Sequence, residues 1–303
     1  MRQIIITLLI TFHIEADYLN HEKSQALIDE LVLDHGFEQS FVEDVLSNAV
    51  RQQKIIDSIS SPAEFTWTWD RYKKLFIEDK RITNGKLFIQ DNFETLDRAE
   101  KEFGVPKEVI TSILGVETRY GKIQGSYRVI DSLLTLGFDY PRRAKFFRKE
   151  LVDFFLLTRE NKLDINEIKG SYAGAMGYGQ FISSSYRAYA IDYDGDGYAD
   201  LFNSVDDAIG SIANYLYVHG WKREGKIIYD AYPNNVRKVF KPNKNLSKFM
   251  PLSFNENGKD IYFIGDDNFI AITKYNISHF YAMAIYYLSE ELKKWKNYYY
   301  YLY

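Results

Sequence analysis

Residues 114–121, "LGVETRYG", decide how this chain is read. On a helix predicted over Lys107–Arg119, residues three and four apart share a face. Counting back from Glu117 gives Leu114, Ile113 and Ile110, so the acid stands on an apolar face while Lys107, Glu108 and Thr111 point elsewhere. Pro106 suits the first turn of that helix and Gly121 its C-terminal cap. A carboxyl group desolvated by aliphatic neighbours keeps its proton to higher pH, as a general acid must near neutrality. The plainer reading is a structural glutamate held by Arg119 or a tyrosine, and this stretch alone favours it. Hydrolysis of a glycosidic bond usually takes two carboxylates. This stretch supplies one.

The rest of the chain limits what that acid can be for. With 303 residues the protein can build two or three subdomains. A formal net charge of -4 gives no reason to expect nucleic acid. The 25 Tyr and 21 Phe are mostly core, and are also compatible with stacking on sugar rings. With no cysteine there is no disulfide, thiol nucleophile, thiolate zinc site or lipidated N-terminal cysteine. Met1-Arg2-Gln3, the apolar run Ile4–Phe12 and "HIEAD" read as a secretory signal cut after Ala16. Ile14 weakens that cleavage site, and a first buried strand is the alternative. No later run reaches the roughly 20 apolar residues of a membrane span, so a soluble, exported protein is expected.

Helical periodicity runs through residues 24–58, through Asn84–Phe103, and through "PRRAKFFRKELVDFFLL", "DDAIGSIANYLYVHGW" and "SHFYAMAIYYLSEELKKW". Between Lys222 and Thr273 the runs "KIIYDAY", "VRKVF", "DIYFIG" and "FIAITKY" read as short strands. The expected class is α+β, predominantly α. The expected organisation is a signal peptide over 1–16, an accessory α domain over 17–88, a core over 89–221, a small β subdomain over 222–272, a return helix over 273–296 and a frayed tail over 297–303.

Two further stretches carry chemistry. "GSYAGAMGYGQF", Gly170–Phe181, is neither a dinucleotide nor a Walker loop. Its small residues let a ligand approach the backbone, and Gln180 can donate to and accept from an amide such as an N-acetyl group. Tight backbone packing is the plainer reading. "DYDGDGYADLFNSVDD" places Asp192, Asp194 and Asp196 at positions 1, 3 and 5 of a calcium loop, with Gly197 at 6 and the Tyr198 carbonyl at 7. Asp200 at position 9 would ligate directly or through water. Position 12 is Asn203 where a glutamate belongs, so a longer loop closed by Asp206 is expected. A lone loop of this kind points to a structural Ca2+, with Na+ as a lesser alternative, and no organic cofactor is expected.

Together "GVETRYG", "YPRRA", "GSYAGAMGYGQF", the acidic loop with "DDAIGSIANYLYVHGW", and "ITKYNISHFYAMAIYYL" resemble the membrane-bound lytic transglycosylase B family, glycoside hydrolase family 103. The resemblance runs from about Trp67 to Leu288. It implies a lysozyme-like helical core with the metal loop, an accessory α domain and a small β domain. It places Glu117 at the acid/base position. Tyr72, Arg142, Arg143, Ser171, Gln180, Tyr215, Tyr275, Asn276 and Tyr281 fall on positions resembling the family's groove. Tyr120 stands where a tryptophan is expected, "FISSSY" lacks a proline before its serines, and an extra acid precedes Ala208.

The activity so implied explains a single acid. Glu117 would protonate the glycosidic oxygen between N-acetylmuramic acid and N-acetylglucosamine. It would then take the proton from the muramyl C6 hydroxyl as that oxygen attacks C1, giving a 1,6-anhydro product. The expected partner is the peptidoglycan glycan strand. The protein is expected in the periplasm, as a monomer and not a lipoprotein, with a weak membrane contact through the tyrosine tail as a minor alternative. The competing readings are a muramidase using Asp131 or Asp139 as second acid, a non-catalytic peptidoglycan-binding protein, and a calcium-dependent structural protein.

Overall fold

The computed structural model describes residues 18–60, 67–232 and 249–294. The expected signal peptide, the "VRKVF" run and the tyrosine tail lie outside the described residues.

The fold is α+β and mostly α. Its centre is α7 (Lys107–Thr118), enclosed by α5 (Asp79–Asp91), α6 (Phe93–Phe103), α11 (Val205–Val218) and α13 (His279–Lys293). Val109, Ile110, Ile113 and Leu114 are fully buried. Lys107, Glu108 and Thr111 are buried too, which corrects the expectation that they point away. A helix walled in on all sides has no solvent face. The Lys107 ammonium is therefore neutralised by Glu100, and the Ser112 hydroxyl donates to the Glu108 carbonyl at 2.6 Å.

Beside this core, α8 (Val129–Asp139) and α9 (Ala144–Glu160) form a hairpin joined by a 3-10 turn at Pro141–Arg143. The sequence reading gives no element to 129–139. Ten of its eleven residues, Val129 to Phe138, are buried, so the two-sided pattern that marks a helix is missing. A short ribbon pairs β1 (Tyr127–Arg128) with β2 (Lys169–Gly170) and leads into the glycine-rich loop. The helix α10 (Ser183–Tyr189) follows that loop and packs on α9.

The N-terminal helices α1 (Ser24–Asp29, extended by a π turn to Asp34), α2 (Gln39–Asn48) and α3 (Gln53–Ser60) dock on this hairpin. The docking is polar as well as apolar. Val50 N–H donates to Asp131 at 2.9 Å, Gln52 N–H donates to the Thr135 hydroxyl at 3.1 Å, and the Tyr18 phenol donates to Asp139 at 2.8 Å.

The β subdomain is an antiparallel sheet in the order β3 (Ile228–Ala231), β5 (Lys259–Gly265), β4 (Met250–Glu256). Asn257 and Gly258, both left-handed, make the tight turn between β4 and β5. The sheet rests on α4 (Trp69–Phe76), with Trp69 and Phe254 rings 5.2 Å apart and Lys73 paired to Glu256 at 2.5 Å. "FIAITKY" is not a strand. It lies within α12 (Asp267–Tyr275), which buries Phe269 and Ile272 at helical spacing. Tertiary packing overrides the local β propensity there. The expected limits at 88 and 272 thus fall inside α5 and α12.

Candidate active site

The turn after α7 presents Glu117. Arg119, Tyr120 and Gly121 are all left-handed, at φ 52°, 62° and 83°. The left-handed cap is Arg119 and not Gly121. Such a conformation costs a non-glycine residue about 1–3 kcal/mol, so neighbours must hold it. Tyr120 N–H returns to the Leu114 carbonyl at 3.0 Å, and its phenol donates to the Arg81 carbonyl at 2.8 Å. The Tyr120 ring fills space against Gly115 and Gly85 and stacks on Phe88, a fit for the residue where a tryptophan was expected. Arg119 pairs with Glu78 at 2.7 Å. A side chain at Gly121 would strike the Tyr178 ring.

Thr118 ties this turn to the glycine-rich loop. It is fully buried, and its hydroxyl lies 2.8 Å from the Tyr178 carbonyl, to which it donates. The same oxygen accepts from Gly121 N–H at 2.9 Å. One side chain thereby links the end of the central helix to both loops that meet there.

Glu117 is half-buried, and its Oε1 accepts from the Tyr281 phenol at 2.6 Å. Tyr281 is on α13, and its ring lies parallel to Tyr275, on α12, at 6.4 Å and 5°. The Tyr275 phenol donates to the Gly179 carbonyl at 2.6 Å, and the Tyr215 phenol to the Lys274 carbonyl at 2.7 Å. Burial holds the Tyr275 and Tyr281 phenols well above the ordinary tyrosine range, and the Glu117 charge adds to the rise. Both are neutral donors at physiological pH.

These tyrosines connect Glu117 to a cleft of about 650 Å³. Of the residues proposed from sequence, Arg143, Gln180, Tyr215, Tyr275 and Asn276 line it. The others do not. Tyr281 is buried against Glu117, and Tyr72 is buried among Trp69, Phe76 and Phe280. Ser171 accepts from Ala173 and Ala175 N–H and shapes the glycine-rich turn. Arg142 is exposed beside the cleft-lining Arg143. Gln180, left-handed at φ 51°, donates its amide nitrogen to the Gln124 and Gly177 carbonyls at 3.0 and 3.1 Å. Its donating capacity is thus spent on its own loop and on the turn that follows α7.

The structure adds Phe146 and Ile277 to the lining. Phe146 lies three residues after Arg143 and stacks under its guanidinium at 4.4 Å. Ile277 is 89% exposed, next to Asn276. Spacing from Arg143 could have found the first. An aliphatic residue in a polar loop was the only signal for the second.

No described residue lining the cleft is a carboxylate. Asp131 and Asp139, the sequence candidates for a second acid, hold the N-terminal helices instead. Asp131 accepts from Val50 N–H, and burial pushes its carboxyl up. Asp139 accepts from Tyr18 and faces Arg51 at 3.3 Å and His21 at 3.5 Å.

The acidic loop has the donor set for a hard cation. Asp192, Asp194 and Asp196 are exposed, and each has a carboxylate oxygen within 4.8 Å of the others. Gly195 and Gly197 N–H donate to Asp192, and the Ser204 hydroxyl donates to Asp194 at 2.8 Å. The expected role of Asp206 is corrected. Its carboxylate turns to the Thr95 hydroxyl on α6. Asp207, fully buried, accepts from Tyr193, Asp194 and Asp200 N–H at 2.6, 3.2 and 2.7 Å and closes the loop. Both acids sit in the first turn of α11, where consecutive residues diverge by about 100°, so only one can face inward.

Comparison with known proteins matches residues 20–290 to the transglycosylase SLT domain. Membrane-bound lytic murein transglycosylase B of Escherichia coli K12 is 37% identical over 302 residues, spanning 90% of this chain and 83% of the relative. The soluble lytic transglycosylase SltB1 from Pseudomonas aeruginosa superimposes with a TM-score of 0.84 at 40% identity, covering 91% of this chain and 99% of SltB1. The Escherichia coli lytic transglycosylase Slt35 in complex with calcium superimposes at 0.82 with 36% identity, covering 92% of this chain and 95% of Slt35.

Proposed function

The chain belongs to the transglycosylase SLT domain family and is a peptidoglycan lytic transglycosylase; on that premise we propose that Glu117 performs the whole reaction, as acid and then as base. The observation that carries this is a half-buried carboxyl group that accepts from Tyr281 at 2.6 Å and stands behind Tyr281 and Tyr275 from a cleft whose described lining holds no carboxylate.

In the first half of the reaction the protonated Glu117 gives its proton to the oxygen between muramyl C1 and the next sugar, and that bond breaks. In the second half the ionised Glu117 takes the proton of the muramyl C6 hydroxyl, whose oxygen closes on C1. Protons balance over the cycle, no water enters, and the product is a 1,6-anhydro sugar. The substrate supplies the nucleophile, so the second carboxylate of a hydrolase is dispensable. Positive charge building at C1 is met by the substrate's N-acetyl oxygen and by oxygens of the nearby tyrosines and backbone. The Tyr281 phenol, kept neutral by burial, donates to Glu117 when it is ionised and aims it.

Tyr215 and Tyr275 offer ring surface to the glycan, Asn276 and Gln180 polar contacts, and Arg143 a cation for substrate carboxylates. Arg142 adds a second cation beside it. Ser171 and Tyr72 act through the shape of the loop and wall. Asp192, Asp194, Asp196 and the Tyr198 carbonyl hold a structural Ca2+, while Asp207, not Asp206, braces the loop through its backbone N–H groups. The neighbouring calcium complex and the oxygen-only donor set support this. The protein works as an exported periplasmic monomer. No helix of the described residues is long and apolar enough to cross a membrane.

The test pairs binding with cleavage. The Glu117→Gln protein should still sediment with purified sacculi and release no soluble fragments. Turnover equal to that of the unsubstituted protein would refute the assignment.

A further inference from the structure

The first turns of α9 separate two depressions. Phe146 and Arg143 face the catalytic cleft. Lys145, Arg148 and Lys149 face a second groove of about 500 Å³, walled on its far side by α1. Residues 145, 148, 149, 152 and 156 follow the spacing of a single helix face. Along the helix axis, Arg143 and Arg148 are about 8 Å apart. The two depressions are therefore close neighbours.

The second groove has a distinct chemistry. Its floor is aliphatic, from Ala26, Leu27, Val152 and Leu156, and its described lining holds no Phe, Tyr or Trp. The catalytic cleft, by contrast, is lined by Phe146, Phe181, Tyr215 and Tyr275. His35 supplies the one ring of the described lining, so sugar rings find no phenyl, phenol or indole face there.

Its charges do not cancel. Arg187 is satisfied by Asp153 and Glu160, and Lys149 by Asp153. Lys23 donates to the Phe138 carbonyl. Lys23 also lies 4.0 Å from Glu22, and Glu30 is the one further acid in a lining that also holds Lys145 and Arg148. Lys145 and Arg148 are exposed and form no ion pair among the described residues. Like charges three residues apart on a helix repel. An anion between them would remove that cost, on a chain whose overall charge is negative.

We propose that this groove binds the carboxylate-bearing peptide stems of peptidoglycan while the glycan strand lies in the catalytic cleft. Cationic sides and an aliphatic floor suit a short acidic peptide with small side chains. The shared α9 wall puts such a stem within reach of a strand held beside Arg143. The proposal rests on the substrate assigned above.

The experiment uses Glu117→Gln protein, so that the polymer is not consumed. Two probes are compared, purified sacculi by co-sedimentation and soluble glycan strands stripped of stems by an amidase by titration calorimetry. Adding Lys145→Glu and Arg148→Glu should weaken binding to sacculi about tenfold and flatten its salt dependence. Binding to stripped glycan should stay the same. In the active protein, the same pair should leave turnover of a soluble stem-free glycan unchanged. If that turnover falls, the milder Lys145→Gln and Arg148→Gln pair decides. Unchanged sacculus binding, or equal losses on both probes, would overturn the proposal. An unsubstituted protein that cleaves neither polymer would instead fault the substrate assignment.

Discussion

Glu117 and Asp207 are both acids set into the ends of helices that pack together, α7 and α11, yet their oxygens are used differently. Asp207 stands in the first turn of its helix, the end that favours negative charge, and three backbone N–H groups occupy it. Burial pushes its carboxyl up, and those N–H groups offset only part of that rise. Glu117 stands in the last turn of its helix, the end that disfavours negative charge, and is half-exposed with a phenol as the donor that fixes it. An acid surrounded by backbone donors holds a loop together. An acid that accepts from a side-chain phenol at a half-exposed turn stands where a proton can be exchanged with a ligand.

That contrast can be broken at either end. The largest effect should come from Glu117→Gln, which keeps an acceptor for Tyr281 and loses the proton. We expect turnover to fall about 10³-fold or more with an unchanged melting temperature. Asp192→Asn in excess calcium should alter turnover by no more than about twofold, since Asp192 accepts from Gly195 and Gly197 of its own loop and does not line the cleft. Next comes Tyr281→Phe, with kcat reduced about 10- to 100-fold and KM little changed, as the carboxyl loses its aim. Thr118→Val should lower kcat about tenfold by freeing the loops that meet at its hydroxyl, and Thr118→Ser should restore most of it.

On the loop side, a chelator should lower the melting temperature by several degrees, on the order of 2 kcal/mol, with recovery on adding calcium. Asp207→Asn should cost about 1–3 kcal/mol even with calcium, because an amide N–H₂ would face backbone donors. Asp206→Asn should cost far less. Equal losses would mean that the two acids share the loop.

The smallest expected signal is at alkaline pH. Tyr275 and Tyr281 hold their protons above the ordinary tyrosine range in the folded state. The folded protein thus binds more protons than the unfolded chain above about pH 10, and stability falls as pH rises. Phenolate absorbance should show these rings titrating only with unfolding.

The sequence was most legible where burial is one-sided. The amphipathic patterns of α9 and α13 announced those helices, and Leu114, Ile113 and Ile110 correctly backed Glu117. It was least legible where burial is complete or local preference misleads. α8 has almost no polar face, and "FIAITKY" is rich in β-formers but helical because Phe269 and Ile272 pack inward. At the candidate site, the family resemblance pointed to Tyr275 and Tyr281, and the structure places Tyr281 against Glu117 and Tyr275 against Tyr281. The choice between Asp206 and Asp207 depended on helix phase, and the role of Thr118 on a loop about 60 residues away in sequence.

The central claim is that one carboxyl group acts twice and water not at all. Digestion of purified peptidoglycan in heavy-oxygen water, followed by mass spectrometry of the fragments, tests it most directly. The fragments should be lighter than hydrolysis products by one water, with no solvent oxygen at the muramyl end. Reducing ends carrying heavy oxygen would contradict it and require a second acid to activate that water.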